Sequence, residues 1–306
     1  MRVLLISDGN DNGGNGSALR RAISRHTDWQ VRHVRRRPSF IGYEKDLEWP
    51  RKTPAPRALL EFWRGADVAI LLGGFRVAQA LPGYDQKPKV MYHLGQSFRD
   101  NAEPYMARCR SEGIPQLVTT FDLLGYGPDL AWLPMVCDVD RMELERRAYR
   151  PGSRPRVMQT PAARGPNQTD QFVEAMRGVE GIDVALVEGV PLDVALRHKA
   201  QADILFDSFD PWYGLSAIEA MGMGIPVVAG TGSDEIAGRI QETLGTIPFI
   251  PATPETVREV MERLARDRTL RDRFKMIGHE VVQRFHAEER VVERLAPFIG
   301  QARSAR

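Results

Sequence analysis

The 306-residue chain is predicted to be α/β, with two doubly wound parallel-sheet (Rossmann-like) domains facing a cleft. Three observations lead there. Short β-branched or apolar runs alternate with helix-period segments through most of the chain, which is the pattern of parallel sheets covered on both faces. The alternation pauses once, at "YRPGSRPR" (149–156), and then restarts. A hydrophobic content of 42% over this length is enough to fill two cores. The expected organisation is an N-terminal domain at 1–140, a C-terminal domain at 152–275 and a helical tail at 276–306.

The first block offers strands at 2–7 "RVLLIS", 30–35 "QVRHVR", 67–72 "DVAILL", 89–93 "KVMYH", 117–120 "LVTT" and 131–134 "AWLP", with helices at 17–25 and 57–64. In the second block the strands are 156–160 "RVMQT", 182–187 "IDVALV", 202–207 "ADILFD", 225–229 "IPVVA" and 247–250 "IPFI". Helices at 168–178, 192–201 and 215–223 lie between them. A Thr-Pro-Glu start signal at 253–255 opens a series of amphipathic helices. Only the last few residues, "QARSAR", are expected to be disordered.

No run of about 18 apolar residues occurs, and the first residues enter a strand rather than a signal peptide, so a soluble, cytoplasmic protein is expected. The two cysteines, Cys109 and Cys137, lack metal-ligand spacing and read as buried thiols. Residues 1–60 hold twelve Lys/Arg against six acids, a net +6 in a chain whose total is +2. Two readings follow from that asymmetry: a solvated arginine-rich face, or attraction for a polyanion such as DNA or an anionic membrane surface.

The richest stretch is "FDSFDPWYGLSAIEAMGMGIPVVAG" (206–230), an apolar strand that turns through Tyr213-Gly214 into a helix. In an open parallel sheet, ligands bind where strand ends lead into helix N-termini. The amides at Gly214, Leu215 and Ser216 would then be unpaired donors suited to a phosphate or diphosphate, with no Cβ on Gly214 to hinder approach. Glu219 lies one turn further in. A carboxylate beside a phosphate repels it, so Glu219 either accepts hydrogen bonds from a neighbouring diol such as ribose or merely complements its own helix dipole.

These residues resemble a known family. Tyr-Gly-Leu-x-x-x-Glu-Ala-Met-x-x-Gly-x-Pro-Val-Val, Tyr213 to Val228 here, is similar to the nucleotide-sugar signature of retaining glycosyltransferases of GT-B fold with a Glu-x7-Glu motif (group 1, family 4-like). "AWLPMVCDVDRM", "VMQTPAARGPNQTDQFVEAM" and "KAQADILFDSF" extend the likeness over most of 130–295, while 1–130 resembles the family in architecture alone. The resemblance implies that Glu219 binds the donor ribose and that Tyr213, Gly214, Leu215 and Ser216 hold the diphosphate. It also brings in Arg164 at the phosphates, Gly13 and Gly14 of the loop "SDGNDNGGNG" facing the donor, and His93, in "VMYHLGQ", near the donor sugar. A satisfied structural histidine is the competing reading of His93.

Two departures stand out. Pro211 occupies the place of the first glutamate of Glu-x7-Glu, leaving Asp210 or Asp207 to supply a carboxylate. Where the family has Lys-Gly after the arginine, this chain has Asn167-Gln168. Asp138-Val139-Asp140 spells a metal motif of another glycosyltransferase fold, but its position resembles an interdomain connection, and Ser17 is expected to cap the first helix.

The implied activity is transfer of a sugar from a nucleoside diphosphate donor, of UDP or GDP type, to an acceptor hydroxyl with retention. Catalytic candidates are His93 and Asp210; donor-binding candidates are Gly13, Gly14, Arg164, Asn167, Tyr213, Gly214, Leu215, Ser216 and Glu219. No cofactor and no metal are expected, since the nucleotide sugar is a substrate. The acceptor is open, with hydroxylated DNA one example. The alternatives are a non-catalytic nucleotide-sugar-binding protein, or an epimerase or hydrolase of the same fold.

Overall fold

A computed structural model describes all residues except 10, 12, 37–40, 51, 163–167, 212 and 306. The chain divides into two compact units, Met1–Val136 with Glu288–Arg306, and Cys137–Ala287. Each is α/β with a wholly parallel sheet.

The first unit carries strands β1 (Arg2–Ser7), β2 (Gln30–Arg35), β3 (Leu47–Glu48), β4 (Val68–Leu72), β5 (Lys89–His93), β6 (Gln116–Val118) and β7 (Leu130–Trp132) in the order β3-β2-β1-β4-β5-β6-β7. The period-2 pattern of β1 sends its residues to both faces, as burial on both sides of a parallel sheet requires. Val3 and Leu5 pack on Leu19 and Ile23 of helix α1 (Asn15–His26) and on Leu295 and Ile299 near the C-terminus. Leu4 and Ile6 pack against Leu59, Phe62 and Trp63 of α2 (Arg57–Arg64). Two further helices, α3 (Gly95–Arg99) and α4 (Ala102–Ser111), follow β5.

The second unit opens with α5 (Val139–Arg146), whose first turn is capped by Asp138 accepting from the amide of Arg141. Strands β8 (Arg156–Gln159), β9 (Asp183–Leu186), β10 (Ile204–Phe206), β11 (Val227–Ala229) and β12 (Ile250–Pro251) form a sheet in the order β12-β11-β10-β8-β9. Phe172 of α6 (Thr169–Met176) stacks on Phe206 with ring centroids 4.2 Å apart, closing one face of its core. Between β9 and β10 runs α7 (Leu192–Lys199), and between β10 and β11 runs α8 (Leu215–Gly222). Helices α9 (Asp234–Leu244), α10 (Val257–Arg266) and α11 (Arg268–Val281) complete the unit, and α12 (Glu288–Ser304) belongs to the first.

The strand and helix expectations agree with the structure to within about two residues for the main elements. Two points differ. The two-residue β3 has too little sequence to announce itself. The segment expected to be disordered at the end of the chain is helical through Ser304, because Ile299 and Ala302 are buried in the first core. Cys109 and Cys137 are buried and form no disulfide, and burial pushes the Cys109 thiol up to about 12. No helix of the described residues is long and apolar enough to cross a membrane.

Candidate functional site

Strand order locates the crevice of the second sheet. From β8 the chain crosses to β9 on one side, then returns through α7 to place β10 on the other, so the connections diverge between β8 and β10. At such a switch point the carboxyl ends of the strands leave a space between loops. The segment after β8 and the segment after β10 flank it, and both were singled out by the sequence.

The floor of this region is cross-linked by side chains. Gln159 donates its amide to the carbonyl of Asp207 at 3.2 Å, and the hydroxyls of Thr160 and Ser216 meet at 2.9 Å. Gln168, held in the left-handed region at φ 51°, accepts from the amide of Phe209 at 2.8 Å and donates to Asp210 Oδ1 at 2.9 Å. That amide therefore fixes the loop carrying Asp210 to the start of α6. Arg164 and Asn167 lie outside the described residues.

Helix α8 begins as expected, with Gly214 at its N-cap. The Gly214 amide donates to Asp207 Oδ2 at 2.7 Å, whereas the amides of Leu215 and Ser216 have no acceptor among the described residues. Gly214 has ordinary extended backbone, and a Cβ there would stand 3.4 Å from Asp207 Oδ2, an ordinary contact. The fold itself does not demand glycine at 214. Burial pushes the Asp207 carboxyl up to about 6, against the opposing effects of the Gly214 amide and nearby Lys199. Tyr213 is buried, with its hydroxyl 3.1 Å from His286 Nε2, so the ring anchors the turn from below.

Glu219 is buried one turn into α8, and its Oε2 lies 2.6 Å from Lys199 Nζ. Lys199, 2% exposed, also donates to the Ser216 carbonyl at 3.3 Å. Sequence reading passed over this lysine. The signal was present: Lys199 follows Leu196 by three residues on the inward stripe of α7, where an apolar residue is the ordinary choice.

In the first unit the glycine loop follows β1. Asp11 accepts from the amides of Gly16 and Ser17 at 2.9 and 3.0 Å and from the Ser17 hydroxyl at 2.9 Å. Ser17 is therefore not the cap. It sits inside the first turn of α1, and the capping carboxylate comes from upstream, because Asp11 takes a positive φ of 53° that brings its side chain back over the helix end. Gly14, at φ 64°, faces the ring of Tyr43, and a Cβ on Gly16 would come within 2.4 Å of His33 Nε2. Gly13 lies outside the left-handed region, and a Cβ there would meet the side-chain amide of Asn15 at 2.9 Å.

His93 ends β5 with no exposed surface, its Nε2 3.0 Å from Gln116 Oε1 and its ring packed 4.1 Å from that of Phe98. Burial lowers its pKa to about 4. The structure thus brings Tyr213, Gly214, Leu215, Ser216 and Glu219 together with Asp210 in the second unit. Gly13, Gly14 and His93 belong to the first.

Among the described residues, six of the twelve cations of 1–60 are paired with carboxylates. Arg20 bonds Asp46, Arg21 and Arg25 bond Glu288, Arg35 and Lys45 bond Glu48, and Arg57 bonds Glu61. Glu61 and Glu288 lie outside the segment, so the fold offsets part of its +6.

No protein-family model matches the chain, and no curated protein matches it. Solved structures do. The chain is similar to an α-glucosyltransferase in complex with UDP and a 13-mer DNA containing an HMU base, with TM-score 0.67 and 9% identity over 97% of this chain and 99% of that one. It is similar to Anabaena HepE in complex with UDP and glucose, with TM-score 0.69 and 11% identity over 98% and 99%. A third is sucrose-phosphate synthase from Thermosynechococcus elongatus, with TM-score 0.64 and 14% identity over the full length of both chains. At such identities the likeness carries the fold: two parallel-sheet α/β units as in the GT-B glycosyltransferases.

Proposed function

We propose that the chain is a glycosyltransferase that takes a nucleoside diphosphate sugar, of UDP or GDP type, and transfers the sugar to an acceptor hydroxyl with retention of configuration. The observation that carries this reading is the start of α8: two adjacent amides with no acceptor among the described residues, at a sheet switch point, with a carboxylate one turn behind them. Amides and helix dipole suit a diphosphate, and a carboxylate at that spacing suits the ribose diol. The GT-B fold and UDP in two of the similar structures support the same assignment.

In the proposed reaction, charge developing on the leaving diphosphate is stabilised by the Leu215 and Ser216 amides, with Arg164 adding a planar cation from the segment after β8. Asp210, held by Gln168, supplies the carboxylate that Pro211 lacks. The roles of Gly13, Gly14 and His93 toward the donor rest on the family resemblance; the burial of His93 and its low pKa suit a neutral positioning group better than a proton carrier at pH 7. The acceptor is a hydroxyl compound. Hydroxylated DNA is supported by the DNA-bound neighbour, while the ion pairs of the 1–60 segment weaken the argument from its charge.

The test is a thermal-shift screen of UDP, GDP, ADP, TDP and CMP on wild type and Glu219→Ala. A nucleotide at about 100 times its Kd adds roughly 2.7 kcal/mol to stability, a clear rise in Tm. The expected outcome is one base that stabilises the wild type and not the variant. Absence of any shift in the wild type overturns the reading. Donor turnover without any labelled acceptor would convert it to a hydrolase or epimerase, and nucleotide binding without turnover to the non-catalytic binding protein that Pro211 and Asn167 motivate.

A further inference from the structure

The proposed site contains an electrostatic conflict, because Glu219 stands one turn behind the amides that would hold a diphosphate. Two negative groups about a helix turn apart repel each other, strongly so where the medium is poorly polarisable. An unpaired buried carboxylate would also be costly in its own right. Lys199 answers both difficulties. Its ammonium is buried, 2.6 Å from Glu219 Oε2, and it reaches the Ser216 carbonyl at 3.3 Å, so the positive charge sits directly against the first turn of α8. It is carried by α7, a different helix, and its stem is packed at an inward position.

We infer that Lys199 is a positioning residue for the nucleotide: it neutralises Glu219 toward the diphosphate and holds Oε2, so that the carboxylate receives the ribose diol in a fixed orientation. This rests on the nucleotide-sugar reading above. It makes the site specific for a ribonucleotide over a 2′-deoxynucleotide, since hydroxyl recognition by a carboxylate held in one orientation is the contact that the lysine preserves. A charge-assisted hydrogen bond of that kind corresponds to about tenfold or more in affinity.

The experiment is isothermal titration of the full chain with UDP, 2′-deoxy-UDP, GDP and 2′-deoxy-GDP, for wild type, Lys199→Met, Lys199→Gln, Glu219→Gln and the double variant Lys199→Met/Glu219→Gln. Wild type is expected to prefer the ribonucleotide by about tenfold. Lys199→Met should erase that preference and lower ribonucleotide affinity by about tenfold or more, through repulsion from the uncompensated carboxylate. If Lys199→Met does not fold, Lys199→Gln, which keeps a donor to Oε2 without the charge, should lose most of the same preference. In the Glu219→Gln background, removing the lysine should change affinity by less than about twofold, because its role passes through Glu219.

The outcomes separate cleanly. A wild type that binds no nucleotide overturns the nucleotide-sugar reading and this inference with it. A wild type that binds but treats ribo and deoxy forms alike overturns the diol assignment. Folded Lys199 variants that retain both affinity and ribose preference overturn the positioning role alone, leaving Lys199 as a packing residue.

Discussion

Helices α1 and α8 each follow a parallel strand through a glycine-containing turn at the switch point of their sheet. In α1 the amides of Gly16 and Ser17 are both taken by Asp11, which also binds the Ser17 hydroxyl. In α8 the nearest aspartate, Asp207, takes the Gly214 amide, and the next two amides are left without an acceptor among the described residues. The glycines differ too. Gly16 has no room for a Cβ against His33, whereas Gly214 would place one at an ordinary contact distance from Asp207. A glycine-rich turn before a helix is therefore two different objects: one where a carboxylate takes two amides and the space is filled, and one whose next two amides have no acceptor among the described residues.

The largest expected effect tests the spatial half of this contrast. Gly16→Ala drives a methyl to within 2.4 Å of a His33 ring that is fully buried and bonded to Ser7, so the ring cannot swing aside. Overpacking of this kind costs about 3 kcal/mol, partly offset by the better helix propensity of alanine. Urea unfolding should show the loss. A variant as stable as wild type would mean that the first turn of α1 shifts freely, and the contrast with α8 would fail.

Next in size is the pH dependence of Asp207. Its folded pKa of about 6 is raised above the ordinary 3.8, chiefly by burial. A carboxyl with a raised folded pKa contributes stability that is fully present below its unfolded pKa and is lost as pH rises through the folded one. Relative to Asp207→Asn, the wild type should therefore gain about 3 kcal/mol as pH falls from about 7.5 to about 4, at 1.36 kcal/mol per pH unit of displacement. Paired urea titrations across that range measure it, and a flat difference would show that Asp207 is solvated. The same neutralisation removes a negative charge beside the Leu215 and Ser216 amides, so affinity for a UDP-sugar should rise over the same interval.

The parallel sheets were legible because alternation of strand and helix is a long-range, redundant signal, repeated across every element from 2–7 to 247–250. The start of α8 was legible because a strand end, a glycine and a helix adjoin in sequence. For Lys199 only the inward position on α7 was legible; its partner Glu219 is twenty residues away on another helix, and the fold brings them to 2.6 Å. Asp11 was missed for a local reason. Sequence reading assigns the cap to the serine at the helix start, whereas a positive φ at Asp11 lets a carboxylate six residues upstream of Ser17 reach back to it. His93 carried two readings, donor contact and structural histidine, because a strand end does not announce that Phe98 and Gln116 pack against the ring.

Removing the α1 cap tests the chemical half of the contrast. Asp11→Ala deletes three hydrogen bonds to a buried carboxylate and should cost about 2 kcal/mol, the upper range for loss of an N-cap. Asp11→Asn, with one acceptor oxygen and no charge, should fall between the variant and wild type.

The smallest stability effect is the most telling for function. Among the described residues Gly214→Ala meets no contact shorter than 3.4 Å and keeps an allowed backbone, so its unfolding free energy should lie within about 1 kcal/mol of wild type. Yet the added methyl is carried by the residue that directly precedes the Leu215 and Ser216 amides, where a diphosphate would approach the backbone. If α8 holds a nucleotide, Gly214→Ala should weaken UDP or GDP binding by about tenfold while leaving Tm without ligand nearly unchanged. Loss of stability without loss of binding would reassign Gly214 to the fold and make α8 resemble α1 after all. Loss of binding without loss of stability would locate the reason for the glycine in the ligand, since the protein supplies none.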